Sequence, residues 1–296
     1  MGARILDGRA AAAALKSRLA ERIARLKERG ITPGLALIRV GEDPASAVYV
    51  RAKEKASQEL GVASRMLALP REISHPALRE EILRLNRDPS IHGVLLQLPL
   101  PEHLPEEELV AAIEPAKDVD GFHPVNAGRL CLGIPGFVAA TPLGILRLLQ
   151  HYDVSLPGSR VVVLGRSRIV GRPLANLLSL KGPAGDATVT LCHSQSRDLA
   201  EITRQAEILI VAIGRKRWVG AAMVKPGATV IDVGIHSEPD PLRPGKRLLA
   251  GDVDFAEVAK VAAAITPVPG GVGPMTVVSL MENTVLAAEQ AAGGPS

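Results

Sequence analysis

Residues 161–180 read VVVLGRSRIVGRPLANLLSL, and this one stretch sets the architecture. The β-branched run 161–164 predicts a buried parallel strand. Gly165 ends it, and apolar residues then recur at helical spacing at Ile169, Leu174, Leu177 and Leu178. The unit is strand, glycine turn, helix. The first backbone N–H groups of such a helix are unpaired, and the helix dipole adds positive potential there, so the turn suits a phosphate. It departs from the dinucleotide fingerprint G-x-G-x-x-G. Ser167 stands at the second glycine and Gly171 comes one residue late. The motif alone is equally compatible with a plain βα turn.

The next strand, 188–193 (TVTLCH), separates two cofactor chemistries. An NAD site places a carboxylate near the end of this strand to hold the ribose 2′-hydroxyl. Residues 193–197 are His, Ser, Gln, Ser and Arg, with no carboxylate among them. Hydroxyls and guanidinium groups attract a 2′-phosphate, so Arg166 and Ser194 are expected to hold one, and the cofactor is expected to be NADP.

Outward from this turn, a chain of 296 residues holds one large domain or two ordinary ones. Aromatic residues are few, and Val, Leu, Ile and Ala supply the core. A net charge of +4 with no interleaving of basic and aromatic residues speaks against nucleic acid and suits an anionic small substrate. Cys131 and Cys192 lack metal-ligand spacing and read as reduced thiols of a cytoplasmic protein. The N-terminus lacks an apolar signal-like core, and no apolar run reaches membrane-spanning length.

Strands are expected at 4–6, 35–40, 64–69 and 93–98. Helices are expected at 9–29, from a Ser46 cap to 60, from Pro76 to 85, and at 106–113. This βα alternation implies a parallel sheet of its own. Residues 118–140, rich in glycine and proline, read as a loop linking two domains. A helix from Thr141 to 152 precedes the fingerprint strand, and further strands are expected at 208–213, 229–233 and 264–268. The fold class is therefore α/β with two domains and a cleft between them. One domain spans 1–140, completed by a C-terminal helix from Pro274. The other is a Rossmann-like dinucleotide domain at 141–273.

Several residues are candidates for chemistry. Tyr49 and Lys53 are four apart and share a helix face, whereas Lys55 does not; an amphipathic surface helix with solvated lysines gives the same pattern. Gln97 interrupts the apolar strand GVLLQLPLP. It either pairs with backbone or projects from the strand's carboxyl end, where α/β sites form. Asp118 and Asp120 in KDVDGF lie in the linking loop, where aspartates commonly form turns. PVPGGVGPMT, residues 267–276, is a rigid loop that lets backbone approach a ligand, or a connector. His193 and His236 lack the spacing of a metal pair, and no metal is expected.

Taken together, YVRAKEKASQELGV, GVLLQLPLP, PAKDVDGFHPVNAGRL, GRSRIVGRP, TVTLCHS, DVGI, GDVDF and PVPGGVGPMT resemble the bifunctional methylenetetrahydrofolate dehydrogenase/cyclohydrolase family over nearly the whole chain. The resemblance implies NADP-dependent oxidation of 5,10-methylenetetrahydrofolate and hydrolysis of the methenyl product to 10-formyltetrahydrofolate. It implies Lys53 as the central catalytic group and Gln97 as its hydrogen-bond partner. It further implies that Tyr49 stacks on the folate's aminobenzoyl ring, that Asp120 anchors the pterin, and that Pro269, Gly270 and Gly271 line the substrate. It implies a cofactor site lined by Gly165, Arg166, Ser167, Ser194 and Ile235, and a homodimer formed through the second domain. Ala140 and His236 depart from the Cys and Asn of many members. Alternatives are a monofunctional dehydrogenase, a non-catalytic NADP-binding protein, and a shikimate or amino-acid dehydrogenase, for which no motif is present. A lysine at its ordinary pKa of ~10.4 is protonated at neutral pH, so burial must lower Lys53 before it can act as a base.

Overall fold

A computed structural model describes residues 2–42, 44–240 and 247–293, with backbone alone for 44–49. In chain order the elements are β1 (Arg4–Ile5), α1 (Gly8–Glu28), β2 (Gly34–Val40), α2 (Pro44–Leu60), β3 (Ala63–Leu69), α3 (His75–Arg87), β4 (Gly93–Leu96), α4 (Glu106–Ala111), α5 (Pro124–Leu132), α6 (Ala140–His151), β5 (Arg160–Leu164) and α7 (Gly171–Ser179). They continue as β6 (Thr188–Cys192), α8 (Leu199–Thr203), β7 (Ile208–Val211), β8 (Thr229–Asp232), β9 (His236–Pro239), β10 (Arg247–Ala250), α9 (Phe255–Val258), β11 (Ala264–Ile265) and α10 (Val272–Ala291). The chain divides into two compact units. One takes the residues up to Ala13 with Thr141–Thr276, and the other takes Ala14–Ala140 with the residues from Val277 on.

The first unit is built on a six-stranded sheet in the order β1-β11-β8-β7-β5-β6, with every pairing parallel. Its central strands are apolar from end to end because both faces are covered: Val161–Leu164 and all of β7 are buried. Val162, Leu164, Leu209, Val211, Val230 and Ile265 form one core layer. From β5 the chain moves to β6 on one side and to β7 on the other, which makes the β5/β7 boundary the switch point where α/β sheets open a crevice.

The expected assignment of the N-terminal strand needs one correction. β1 pairs with β11, Arg4 opposite Ala264 and Ile5 opposite Ile265, so this strand belongs with the six-stranded sheet and not with the residues up to 140. A two-residue strand carries no local preference for a sheet; its partner is set by tertiary context.

The second unit holds a three-stranded parallel sheet, β3-β2-β4. Helix α1 buries Leu15, Leu19, Ile23 and Leu26, and α3 buries Leu78, Ile82 and Leu85. The central strand β2 again marks a switch point, since the chain leaves it for β3 on one side and returns as β4 on the other. Two local expectations fail here. Helix α2 begins at Pro44, so Ser46 lies inside it rather than capping it. Residues 118–140 are not all loop, since α5 occupies Pro124–Leu132.

Candidate functional site

The switch point of the smaller sheet carries the first constellation. Gln97 is the first residue past β4, and its backbone N–H donates to Ile38 O on β2 at 2.8 Å. Its amide is fixed at both ends: Nε2 donates to Leu98 O at 2.8 Å, and Oε1 accepts from Lys53 Nζ at 3.0 Å. Lys53 comes from α2, the crossover helix after β2, and is 8% exposed. Lys55, two residues on, has a side chain 77% exposed and pairs with Glu59. The two expected readings of Gln97 are thus both realised, since it bonds to backbone and also projects to Lys53.

Burial lowers the Lys53 pKa from its ordinary value, and the nearby Asp120 carboxylate partly opposes this. Asp120 itself is pushed up to about 6, chiefly by burial, with Lys53 pulling down and Asp118 pushing up. Lys53, Gln97 and Asp120 are therefore brought together. Asp118 is something else: its carboxylate accepts from the N–H groups of Phe122 and His123 and from Asn126 Nδ2, and it serves as the buried turn former. Tyr49 lies on α2, but its side chain is outside the described residues.

In the other unit, Gly165 ends β5 at the switch point with φ 119°, and a Cβ there would meet Ala212 O at 2.0 Å. A Cβ on Gly171 would meet Gly165 O at 1.9 Å. Only glycine lets the turn close this tightly. The amides expected to stay unpaired at the helix start are engaged inside the turn instead: Arg172 N donates to Ser167 O at 3.1 Å, Leu174 N donates to Val170 O at 2.9 Å, and Pro173 has no N–H. Ser167 Oγ accepts from the N–H groups of Val170 and Gly171, so Ser167 caps the turn. Ile169 is a correction: it precedes α7 and is exposed, while Leu174, Leu177 and Leu178 form the buried stripe. Arg166 and Ser194 are both exposed, at the ends of the adjacent strands β5 and β6. A tight glycine turn, a nine-residue helix behind it, an arginine, a serine and no carboxylate form a set that fits a 2′-phosphorylated dinucleotide.

Ile235 is exposed after β8, and Gly273 packs beside it, 3.9 Å separating a Cβ on that glycine from Ile235 Cδ1. The glycine-rich loop 267–273 thus lies next to the expected cofactor residue. Pro269 is exposed, Gly270 has φ 109°, and the Gly271 carbonyl lies where a Cβ on Gly8 would be, at 1.7 Å.

Three features escaped the sequence reading. Arg9 places its guanidinium beside Gly270, 3.4 Å from a Cβ there, and adds positive charge to that loop. Two buried carboxylates bind the loops at the carboxyl edge of the six-stranded sheet. Asp232 accepts from the N–H groups of Gly234, Asp252 and Val253; Asp252 accepts from Ile213 N, Gly214 N and His236 Nε2 at 2.7 Å. Burial, reinforced by Asp252, pushes Asp232 up to about 6. DVGI and GDVDF contain both residues, but no spacing rule announces that they face each other. Asn283, the third, is on α10. No group of metal-ligating side chains occurs among the described residues.

Residues 6–120 match the family model of the tetrahydrofolate dehydrogenase/cyclohydrolase catalytic domain, and residues 139–292 match that of its NAD(P)-binding domain. The chain is 52% identical to the bifunctional protein FolD of Halalkalibacterium halodurans, over 98% of this chain and all of that one. Its fold matches the crystal structure of the bifunctional dehydrogenase/cyclohydrolase of Campylobacter jejuni with a TM-score of 0.90 at 47% identity, covering 97% and 98% of the two chains. It matches the Trypanosoma brucei enzyme, complexed with NADP and inhibitor, with a TM-score of 0.92 at 40% identity and 99% coverage of both.

Proposed function

The chain belongs to the tetrahydrofolate dehydrogenase/cyclohydrolase family, and from that premise we propose that Lys53, Gln97 and Asp120 carry its folate chemistry. The enzyme oxidises 5,10-methylenetetrahydrofolate with NADP and hydrolyses the methenyl product to 10-formyltetrahydrofolate. The observation that carries the assignment of residues is the buried Lys53 amine, hydrogen-bonded to a neutral amide and beside Asp120.

NADP, when bound, accepts the hydride from the methylene carbon. Gly165 and Ser167 border its phosphates, Arg166 and Ser194 hold its 2′-phosphate, and Ile235 borders its ring. That step asks the chain for alignment only. Hydrolysis needs proton transfer. Lys53 Nζ, uncharged, takes a proton from the water that adds to the methenyl carbon. The remaining hydroxyl proton passes to N5 as the carbon–N5 bond breaks, which leaves the formyl group on N10. Burial lowers the amine's pKa and so favours the form with a free lone pair. Gln97 Oε1 orients that lone pair by accepting an amine N–H. As a neutral partner, it does so without the charge that would hold the amine protonated. Asp120 accepts the adjacent N–H groups of the pterin's aminopyrimidinone edge, Tyr49 stacks on the aminobenzoyl ring, and the backbone at Pro269, Gly270 and Gly271 borders the substrate.

Two further readings rest on the same family. The enzyme is a homodimer formed through the dinucleotide unit, which light scattering of the purified protein tests. It works in the cytoplasm, consistent with two free cysteines. The direct test of activity is NADPH absorbance with methylenetetrahydrofolate, run with NADP and then NAD, followed by a methenyl hydrolysis assay. Turnover in both assays with a preference for NADP is expected; an inactive protein, or one preferring NAD, contradicts the reading.

A further inference from the structure

Asp120 sits in a turn whose backbone is held from two flanks. Gly121, with φ 73°, lets that turn press on residues 138–139: a Cβ there would meet Ala139 N at 2.5 Å. On one flank the segment is tied to β4, where Val94 N donates to Lys117 O at 2.7 Å. On the other flank stands Asn283 of α10, 2% exposed. Its Nδ2 donates to Val119 O at 2.8 Å and to Val138 O at 2.9 Å. Both partners are carbonyl oxygens, which fixes the amide with its NH₂ towards them. One side chain thus clasps the carbonyl just before Asp120 and the strand of chain against which Gly121 packs. Two residues earlier on the same helix, Met281 Sδ accepts from Ser57 Oγ at 3.4 Å, and Ser57 Oγ is also 3.0 Å from Lys53 O, so α10 backs the Lys53 helix as well.

We propose that Asn283 is a positioning residue for the folate site, holding the Asp120 carboxylate in register with Lys53 through the carbonyls of Val119 and Val138. The proposal rests on the functional reading above. It assigns to α10 the task of setting where the substrate anchor stands, while the anchor itself does the binding. Asn283 touches neither ligand, so its effect must pass through Asp120.

A double-mutant cycle reads this directly. Asn283→Ala, Asp120→Ala and the double variant are assayed for both activities, with melting temperature as the fold control. Asn283→Ala is expected to raise KM for the folate about tenfold in both activities, the size of one lost hydrogen-bonded clasp. KM for NADP is expected to stay within about twofold, and in the Asp120→Ala background the same change is expected to move the folate KM by less than about twofold. A structural role alone would lower activity equally in both backgrounds and move both KM values. If Asn283→Ala is insoluble, Asn283→Ser, which keeps one donor, is run through the same cycle with a smaller expected rise. An unchanged folate KM, or an effect undiminished without Asp120, overturns the proposal. Failure of the unmodified enzyme to turn over methylenetetrahydrofolate overturns the functional reading instead.

Discussion

Asp120 and Lys53 share a problem: each is charged in water and each is partly stripped of it here. Burial lowers one pKa and raises the other, the latter to about 6. The ionised Asp120 is the form that accepts two pterin N–H groups, so folate affinity should weaken as pH falls through about 6, in both activities together. Asp120→Ala should remove that dependence and raise the folate KM at neutral pH by one to two orders of magnitude, roughly the loss of a charge-assisted pair. A change confined to one activity would contradict an anchoring role. The same shift has a stability side. A carboxyl raised on folding contributes stability below its unfolded pKa and loses it as pH rises through the folded one. Asp120→Asn should therefore raise the melting temperature at neutral pH more than at acid pH. At this scale much was legible. Gln97 stood out by interrupting an apolar strand and Lys53 by sharing a helix face with Tyr49, but only the 3.0 Å contact between Lys53 and Gln97 removes the solvated reading of the helix. Spacing alone does not separate Asp118 from Asp120, because the difference lies in the backbone N–H groups that Asp118 meets; the family resemblance is what singled out Asp120.

Among the elements, the strand–turn–helix at β5 and α7 has the expected outline and departs from the reading at Ile169. The stripe starts only at Leu174 because Ser167 caps the turn and delays the helix to Gly171. Arg166→Ala should weaken NADP by about one to two decades, leaving NAD nearly untouched, since a charge-assisted hydrogen bond contributes ~1.5–3 kcal/mol; titration of both cofactors checks this, and equal losses would refute the assignment. Helix α5 was missed although its punctuation was present. Pro124 sits in its first turn, His123 Nδ1 accepts from Val125 N, and Gly133, left-handed at φ 67°, closes it. Proline and glycine at those two ends are helix signals, and they were read as loop signals. The β9–β10 hairpin had no apolar alternation to reveal it, and residues 241–246 between its strands are outside the described residues.

For the molecule as a whole, the two units are interleaved in sequence. The dinucleotide unit takes its edge strand β1 from the N-terminus, and the folate unit takes most of α10 from the C-terminus. Cutting at residue 140 leaves both units incomplete, so neither 1–140 nor 141–296 expressed alone should show a cooperative thermal transition; calorimetry of the two fragments decides, and an independent sharp transition in either would contradict the interleaving. The family's two reactions share one folate, yet they ask different things of the chain: alignment for the hydride, a proton acceptor for the water. The most direct measurement is therefore the rate of methenyltetrahydrofolate hydrolysis by Lys53→Met, alongside its folate affinity. Formyl product should fall to the uncatalysed level while folate binding stays largely intact. Formation of 10-formyltetrahydrofolate at the unmodified enzyme's rate would show that the buried amine is not the base.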